Sequence, residues 1–252
     1  MKSKIRKTLG IALAQMAICL PVLAQSTAND NIKAADNVKN NITEVVFIMD
    51  KSGSMHGLEA DTIGGFNSLI EKQKQTEGKV LISAVLFNQD VNTIYDRIAL
   101  DKIKTMTDKE YYVGGSTALL DAVGDTINHI TAMQKSADKS DCPDKTLIVI
   151  MTDGMENSSK EYSYTKIKQM IAAKKELNNW EFLFLGANID APQEASRFGI
   201  SPKRAVKYHN DSKGVKKNFD VVSEAVTAYR SQNTISDNWS QEIAADYKKR
   251  GN

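Results

Sequence analysis

An apolar run, Val45 to Met49, stops at Asp50 and is followed at once by Ser52 and Ser54 in the stretch "VVFIMDKSGSM". A carboxylate where a buried strand runs out is costly without a partner. Two further stretches carry related groups. "GGSTALLDA" (114–122) sets Thr117 at the mouth of a helix, and "MTDGMENSS" (151–159) sets Asp153 at the end of another apolar run, with Gly154 to let the chain turn. Three hydroxyls and two carboxylates, completed by water, make an all-oxygen donor set that suits a hard cation; no His or Cys is within reach by spacing, which argues against zinc or copper. Mg²⁺ is the first choice, with Mn²⁺ and Ca²⁺ as substitutes. Each piece taken alone also fits turn and helix-cap chemistry without a metal.

Residues near these stretches have weaker claims. Ser116 is an alternative hydroxyl to Thr117, while Asp121 and Glu156 read as solvated surface groups. His56, Tyr111 and Tyr112 are candidates for the rim of the crevice, where a partner would touch. Asn188 and Asp190 follow a later strand on the same side and could support the site from behind. Gly64 and Gly65 inside a helix cost about 1 kcal/mol each relative to Ala, which close helix-to-sheet contact would explain.

The elements that must position these groups alternate in type. Strand-like runs occupy 44–50, 79–87, 91–100, 145–152, 180–187 and 204–209. Runs such as "LIVIM" are apolar on both faces, as buried parallel strands are. Between them lie amphipathic periods: Ile63, Phe66, Leu69 and Ile70; then Leu119, Leu120, Val123, Ile127, Ile130 and Met133. Ile167, Met170 and Ile171 mark a third, and Val215, Phe219, Val222 and Ala225 a fourth. The "NQD" linker (88–90) is too short for a crossover, so the second and third strands pair antiparallel. The expected fold is α/β: a doubly wound, mostly parallel sheet with one antiparallel edge strand and helices on both faces. In the order 3-2-1-4-5-6 the winding reverses between the strands ending at Asp50 and just before Asp153, so both carboxylates face one crevice. Trp239, Ile243 and Tyr247 recur at helical spacing, which reads as a short docking helix or, alternatively, a frayed tail.

The three-part pattern D-x-S-x-S, Thr117 and Asp153, in this strand context, resembles the von Willebrand factor A domain family with its metal-ion-dependent adhesion site. The resemblance covers about 42–231 and looks most like the bacterial branch, in which "DTIGGFNSLIEKQ" follows the first motif and "GANIDA" the fifth strand. It implies a Rossmann-like fold and a bound divalent cation. By the same resemblance Ser52, Ser54 and Thr117 offer hydroxyl oxygens, and Asp50 and Asp153 act mainly through metal-bound water. A cation held by neutral hydroxyls stays electrophilic and keeps an exchangeable position, which an acidic side chain of another molecule can fill.

The rest of the chain bounds the setting. Residues 1–24 read as a secretory signal peptide: a cationic start, an apolar stretch too short to span a bilayer, and small residues before Gln25. Residues 25–41 read as a flexible leader, 42–231 as the domain and 232–252 as the C-terminal helix or tail. Four of the 33 basic residues lie in 1–24, leaving 29 against 31 acidic ones, and no basic face suggests nucleic acid. No second run of membrane length follows. Cys142 alone remains of the two cysteines, so an internal disulfide is not expected. The expected setting is export to the periplasm, cell surface or medium.

The favoured function is a binding module, not an enzyme: an exported domain that presents a divalent cation to a carboxylate of a protein partner, for adhesion or assembly. The alternatives are a Mg²⁺-dependent hydrolase with Asp50 as nucleophile, or a scaffold whose metal is purely structural. For the hydrolase, the acid/base position is held by Ser52, a poor proton carrier, and no G-x-S-x-G, H-E-x-x-H or Gly-rich phosphate loop is present.

Overall fold

A computed structural model describes residues 40–251. The expected signal peptide, and all but the last residues of the expected leader, lie outside the described residues.

Six strands form one sheet: β1 (Ile42–Asp50), β2 (Lys79–Phe87), β3 (Val91–Ala99), β4 (Lys145–Thr152), β5 (Trp180–Ala187) and β6 (Ala205–Tyr208). Their order is β3-β2-β1-β4-β5-β6. Every pairing is parallel except β2 with β3, as the short 88–90 linker requires. Among the described residues six α-helices accompany the sheet: α1 (Glu59–Lys74), α2 (Leu119–Ser136), α3 (Tyr164–Asn178), α4 (Ala191–Arg197), α5 (Ser212–Gln232) and α6 (Gln241–Arg250).

The period of two along β1 divides its buried side chains between two cores. Val45, Phe47 and Met49 join Phe66 and Leu69 of α1 and Val215, Phe219 and Val222 of α5. Val46 and Ile48 join Leu119, Val123 and Ile127 of α2 and Ile167 and Ile171 of α3. A strand buried on both faces has no polar side left, which is why β4, buried throughout, reads as an unbroken apolar run. Helices on both faces of a mostly parallel sheet are the architecture expected from the sequence.

Of the paired glycines in α1, a Cβ on Gly65 would fall 2.2 Å from Phe219 Cδ2, so this residue lets α1 and α5 approach closely. A Cβ on Gly64 would meet nothing within 4 Å, and no close contact accounts for that glycine. The amphipathic reading missed α4. It is a short helix started by Asp190, whose side chain accepts from Gln193 N, with Pro192 in its first turn. The segment after α5 is ordered: Ile243 of α6 is buried in the α1/α5 core, with Trp239 packed against its edge. No described helix is long and apolar enough to cross a membrane.

Candidate metal centre

β1 and β4 are parallel neighbours with Met49 opposite Met151, so Asp50 and Asp153 leave the sheet at the same end. Winding reverses between these two strands, and their following loops part to leave a crevice. Asp50 is buried, and both of its carboxylate oxygens accept hydrogen bonds: Oδ1 from Ser52 N at 2.7 Å, Oδ2 from Thr152 Oγ1 at 2.7 Å.

A single 3-10 turn, Gly53–Met55, then carries the serines across the crevice. Ser52 Oγ lies 3.1 Å from Ser54 Oγ, and Ser54 Oγ donates to Asp153 Oδ1 at 2.7 Å. Thr117 is buried, and a Cβ built on Gly154 would come 3.9 Å from Ser54 Oγ and 4.0 Å from Thr117 Oγ1. The hydroxyls of Ser54 and Thr117 therefore flank the backbone that follows Asp153. The five residues singled out by sequence, Asp50, Ser52, Ser54, Thr117 and Asp153, are brought to one place from three loops.

Backbone bonds lock those loops together. Gly53 N donates to Gly115 O at 3.0 Å and Gly114 N to Lys51 O at 2.9 Å, joining the first loop to the second. Thr117 N donates to Asn157 Oδ1 at 2.8 Å and Asn157 N returns to Thr117 O at 3.0 Å, joining the second to the third. Glu156 and Asp121 are not the solvated groups expected. Glu156 accepts from Leu120 N, Ser158 N and Ser159 N, capping the start of α2, and Asp121 accepts from the backbone N–H groups of Lys160, Glu161 and Tyr162. Each carboxylate is spent on stitching the third loop to α2.

The rim expectation divides. Tyr111 is fully buried and donates its hydroxyl to Asp50 O at 2.6 Å, so it buttresses the strand end from inside and cannot touch a partner. His56 is exposed and paired with Glu59 at 3.3 Å; Tyr112 is 59% exposed, with Lys51 Nζ 4.2 Å from its ring centroid. Met155, 66% exposed on the third loop, is an apolar rim residue that the sequence reading passed over. Asn188 does stand behind the site, donating to Asp153 O at 3.0 Å, whereas Asp190 caps α4 instead. Ser116 bonds Gln89 Oε1 through its backbone N–H, leaving Thr117 as the residue that faces Gly154.

Three contributors were not singled out by the sequence. Thr152 binds Asp50; Asn210, just after β6, donates its Nδ2 to Asp153 Oδ2 at 2.8 Å; Tyr208, buried, donates to Thr152 O at 3.3 Å. Thr152 lies within the "MTDGMENSS" stretch, directly before Asp153, and was within reach of a strand-alternation argument. Asn210 follows a weak strand and had no such signal.

Burial pushes the Asp50 carboxyl up to about 6, against the bonds from Ser52 and Thr152 that favour its charged form, and the charge of Asp153 adds to the rise. Burial raises Asp153 as well, against bonds from Ser54 and Asn210. Among the described residues neither carboxylate forms an ion pair with a lysine, arginine or histidine. No cluster of three or more His, Cys, Asp or Glu suited to a metal occurs among them either, so an ion in this crevice would rest on hydroxyls and two carboxylates. Two buried carboxylates without a countercharge, beside oxygen donors, fit a hard cation.

The fold and crevice define a class: a doubly wound α/β domain with an oxygen-lined site at the switch point of its sheet. A family model, the von Willebrand factor type A domain, matches residues 44–220, and the chain belongs to that family. A search of curated proteins finds no match. Among solved structures, the chain is similar to a von Willebrand factor type A protein from Catenulispora acidiphila, with 15% identity and TM-score 0.51 over 74% of this chain and 43% of that one. It is also similar to proximal thread matrix protein 1 from the mussel byssus, with 12% identity and TM-score 0.52 over 74% of this chain and 46% of that one. Another structure of the byssus protein, described as having a zinc-occupied MIDAS motif, is 13% identical with TM-score 0.51 over 73% and 46% of the two chains. The chain thus spans less than half the length of these structures, and the likeness is one of fold.

Proposed function

We propose that this protein is an exported binding module that presents a divalent cation to a carboxylate on a protein partner, in adhesion or assembly at the cell envelope or beyond it. The observation that carries the reading is the pair Asp50 and Asp153: both buried, without a basic partner among the described residues, and close to Ser52, Ser54 and Thr117. Ser52, Ser54 and Thr117 would hold the ion through hydroxyl oxygens, and Asp50 and Asp153 would balance its charge. Mg²⁺ fits this all-oxygen set, with Mn²⁺ or Ca²⁺ as substitutes. The bound ion would supply an electrophilic point that an acidic side chain can fill. Exposed Tyr112, Met155 and His56 on the same loops supply apolar and polar surface around it, in keeping with a protein partner.

Membership in the family supports an interaction role over catalysis. So does the state of Asp50: both of its oxygens are engaged and it is 2% exposed, a poor arrangement for a nucleophile. Export rests on the signal-like 1–24 segment, and the domain limits 42–231 with a 232–252 C-terminal helix or tail follow from the sequence pattern. Partners captured from envelope extracts in Mg²⁺, and released by EDTA from a protein that remains folded, would support this reading. Capture that is indifferent to EDTA and to Asp50→Ala would overturn it.

A further inference from the structure

The link between β6 and α5 brings a fourth chain segment to the site. Its Asn210 donates Nδ2 to Asp153 Oδ2 at 2.8 Å and to Ser54 O at 3.4 Å, touching two of the three motif loops. Asn210 Oδ1 is buried and has no hydrogen-bond partner among the described residues, so the amide does not sit where its own bonding would be best met. Its two neighbours in the chain, His209 and Asp211, both contact α6. The His209 ring stacks on Tyr247, with centroids 4.4 Å apart and planes 21° apart, and His209 Nε2 lies 3.2 Å from Tyr247 O. On the other side of Asn210, Arg250 binds both oxygens of Asp211, at 2.6 and 3.2 Å. Asp246 fixes Arg250 at 2.9 Å and Lys213 at 2.8 Å, and buried Ile243 anchors the helix. Both neighbours of Asn210 are thus pinned by one C-terminal helix.

We propose that Asn210 is a positioning residue of the metal centre and that α6, through Tyr247 and Arg250, sets its position. This rests on the metal-binding reading above. The amide N–H groups orient the Asp153 carboxylate and favour its charged form, as outer-shell partners of metal ligands do. Docking of α6 then tunes how well the site takes up a cation, although no α6 residue touches the five motif residues in the contacts described.

The test is calorimetric titration of Mn²⁺ alone into the full chain, with thermal unfolding in metal-free buffer as a check on folding. Asn210→Ala is expected to weaken Mn²⁺ binding about 10- to 100-fold, the usual cost of losing an outer-shell partner, with little change in metal-free unfolding. Tyr247→Ala should weaken it in the same direction, and Tyr247→Phe, which keeps the ring, should restore it. Where Tyr247→Ala is unfolded, Arg250→Gln, which removes the partly exposed ion pairs to Asp211 and Asp246, takes its place. Wild-type affinity in Asn210→Ala, with binding abolished in Asp50→Ala, would overturn the proposal and leave the metal site standing. Wild-type affinity in folded Tyr247→Ala, or in Arg250→Gln where that variant stands in for it, would overturn the role of the helix. Failure of the wild-type chain to bind Mn²⁺ would overturn the metal site itself.

Discussion

Ser54 Oγ donates to Asp153 Oδ1 at 2.7 Å across 99 residues of chain. The bond joins the loop after β1 to the loop after β4, and it closes only because those strands are parallel neighbours ending at the same level. Long-range contacts of this kind turn a local motif in the chain into a site.

Cation uptake should therefore stabilise the fold as a whole. At about one hundred times Kd a divalent ion contributes about 2.7 kcal/mol, which for a domain of this size raises Tm by about 5–10 °C. Asp50→Ala and Asp153→Ala should lose that rise. Scanning fluorimetry in Mg²⁺, Mn²⁺ and EDTA measures it, and equal shifts in all three proteins would contradict the assignment of these residues.

The two adjacent glycines of α1 should respond in opposite directions. Gly64→Ala places its methyl in open space and gains helix propensity, a stabilisation of about 0.4–1 kcal/mol. Gly65→Ala drives a methyl into Phe219 and should cost about 1–3 kcal/mol. Urea unfolding of the pair at a common slope gives both signs in one experiment.

Tyr111→Phe removes a hydroxyl that reaches the Asp50 carbonyl at 2.6 Å inside the core. The expected loss is about 1 kcal/mol of stability, with cation binding retained, since the tyrosine does not face the crevice. A complete loss of metal uptake would show that the ring does more than support the strand end.

At the other end of β1, Glu44 is fully buried, bonded to Arg97 Nε at 2.8 Å and Gln134 Nε2 at 2.6 Å. Burial outweighs these partners and raises its carboxyl above the usual 4.5. A group that holds its proton more tightly in the folded state favours folding most below its unfolded pKa. The Glu44 contribution should therefore be full below about pH 4.5 and decline as pH rises through the raised folded value. Glu44→Gln should lack that decline. Tm followed from pH 4 upward in both proteins, without metal, measures the difference.

The fold was legible because its signals are local and redundant. Apolar runs such as Leu147 to Met151 are too hydrophobic for anything but a strand buried on both faces, and three residues between β2 and β3 permit only a hairpin. The motif residues were legible because a carboxylate at a strand end is anomalous by itself. What escaped depended on depth or on distance along the chain. Tyr111 and Tyr112 are adjacent and chemically identical, yet one is buried beneath Asp50 and the other covers Lys51, a distinction no spacing encodes. Asn210 is an ordinary polar residue after a short strand, and its role exists only because β6 stands two strands from β4. Glu156 looked like surface because a carboxylate that caps another segment's backbone leaves no pattern in its own.

Asp153 is gripped from three directions besides its own strand: by Ser54 after β1, Asn188 after β5 and Asn210 after β6. A tensile load applied at this point would be shared among β1, β4, β5 and β6, while the hairpin strand β3 stays outside the load path. Parallel strands pulled lengthwise must shear several ladder bonds at once. On the proposed function, a partner held at this carboxylate would therefore pull on four strands together.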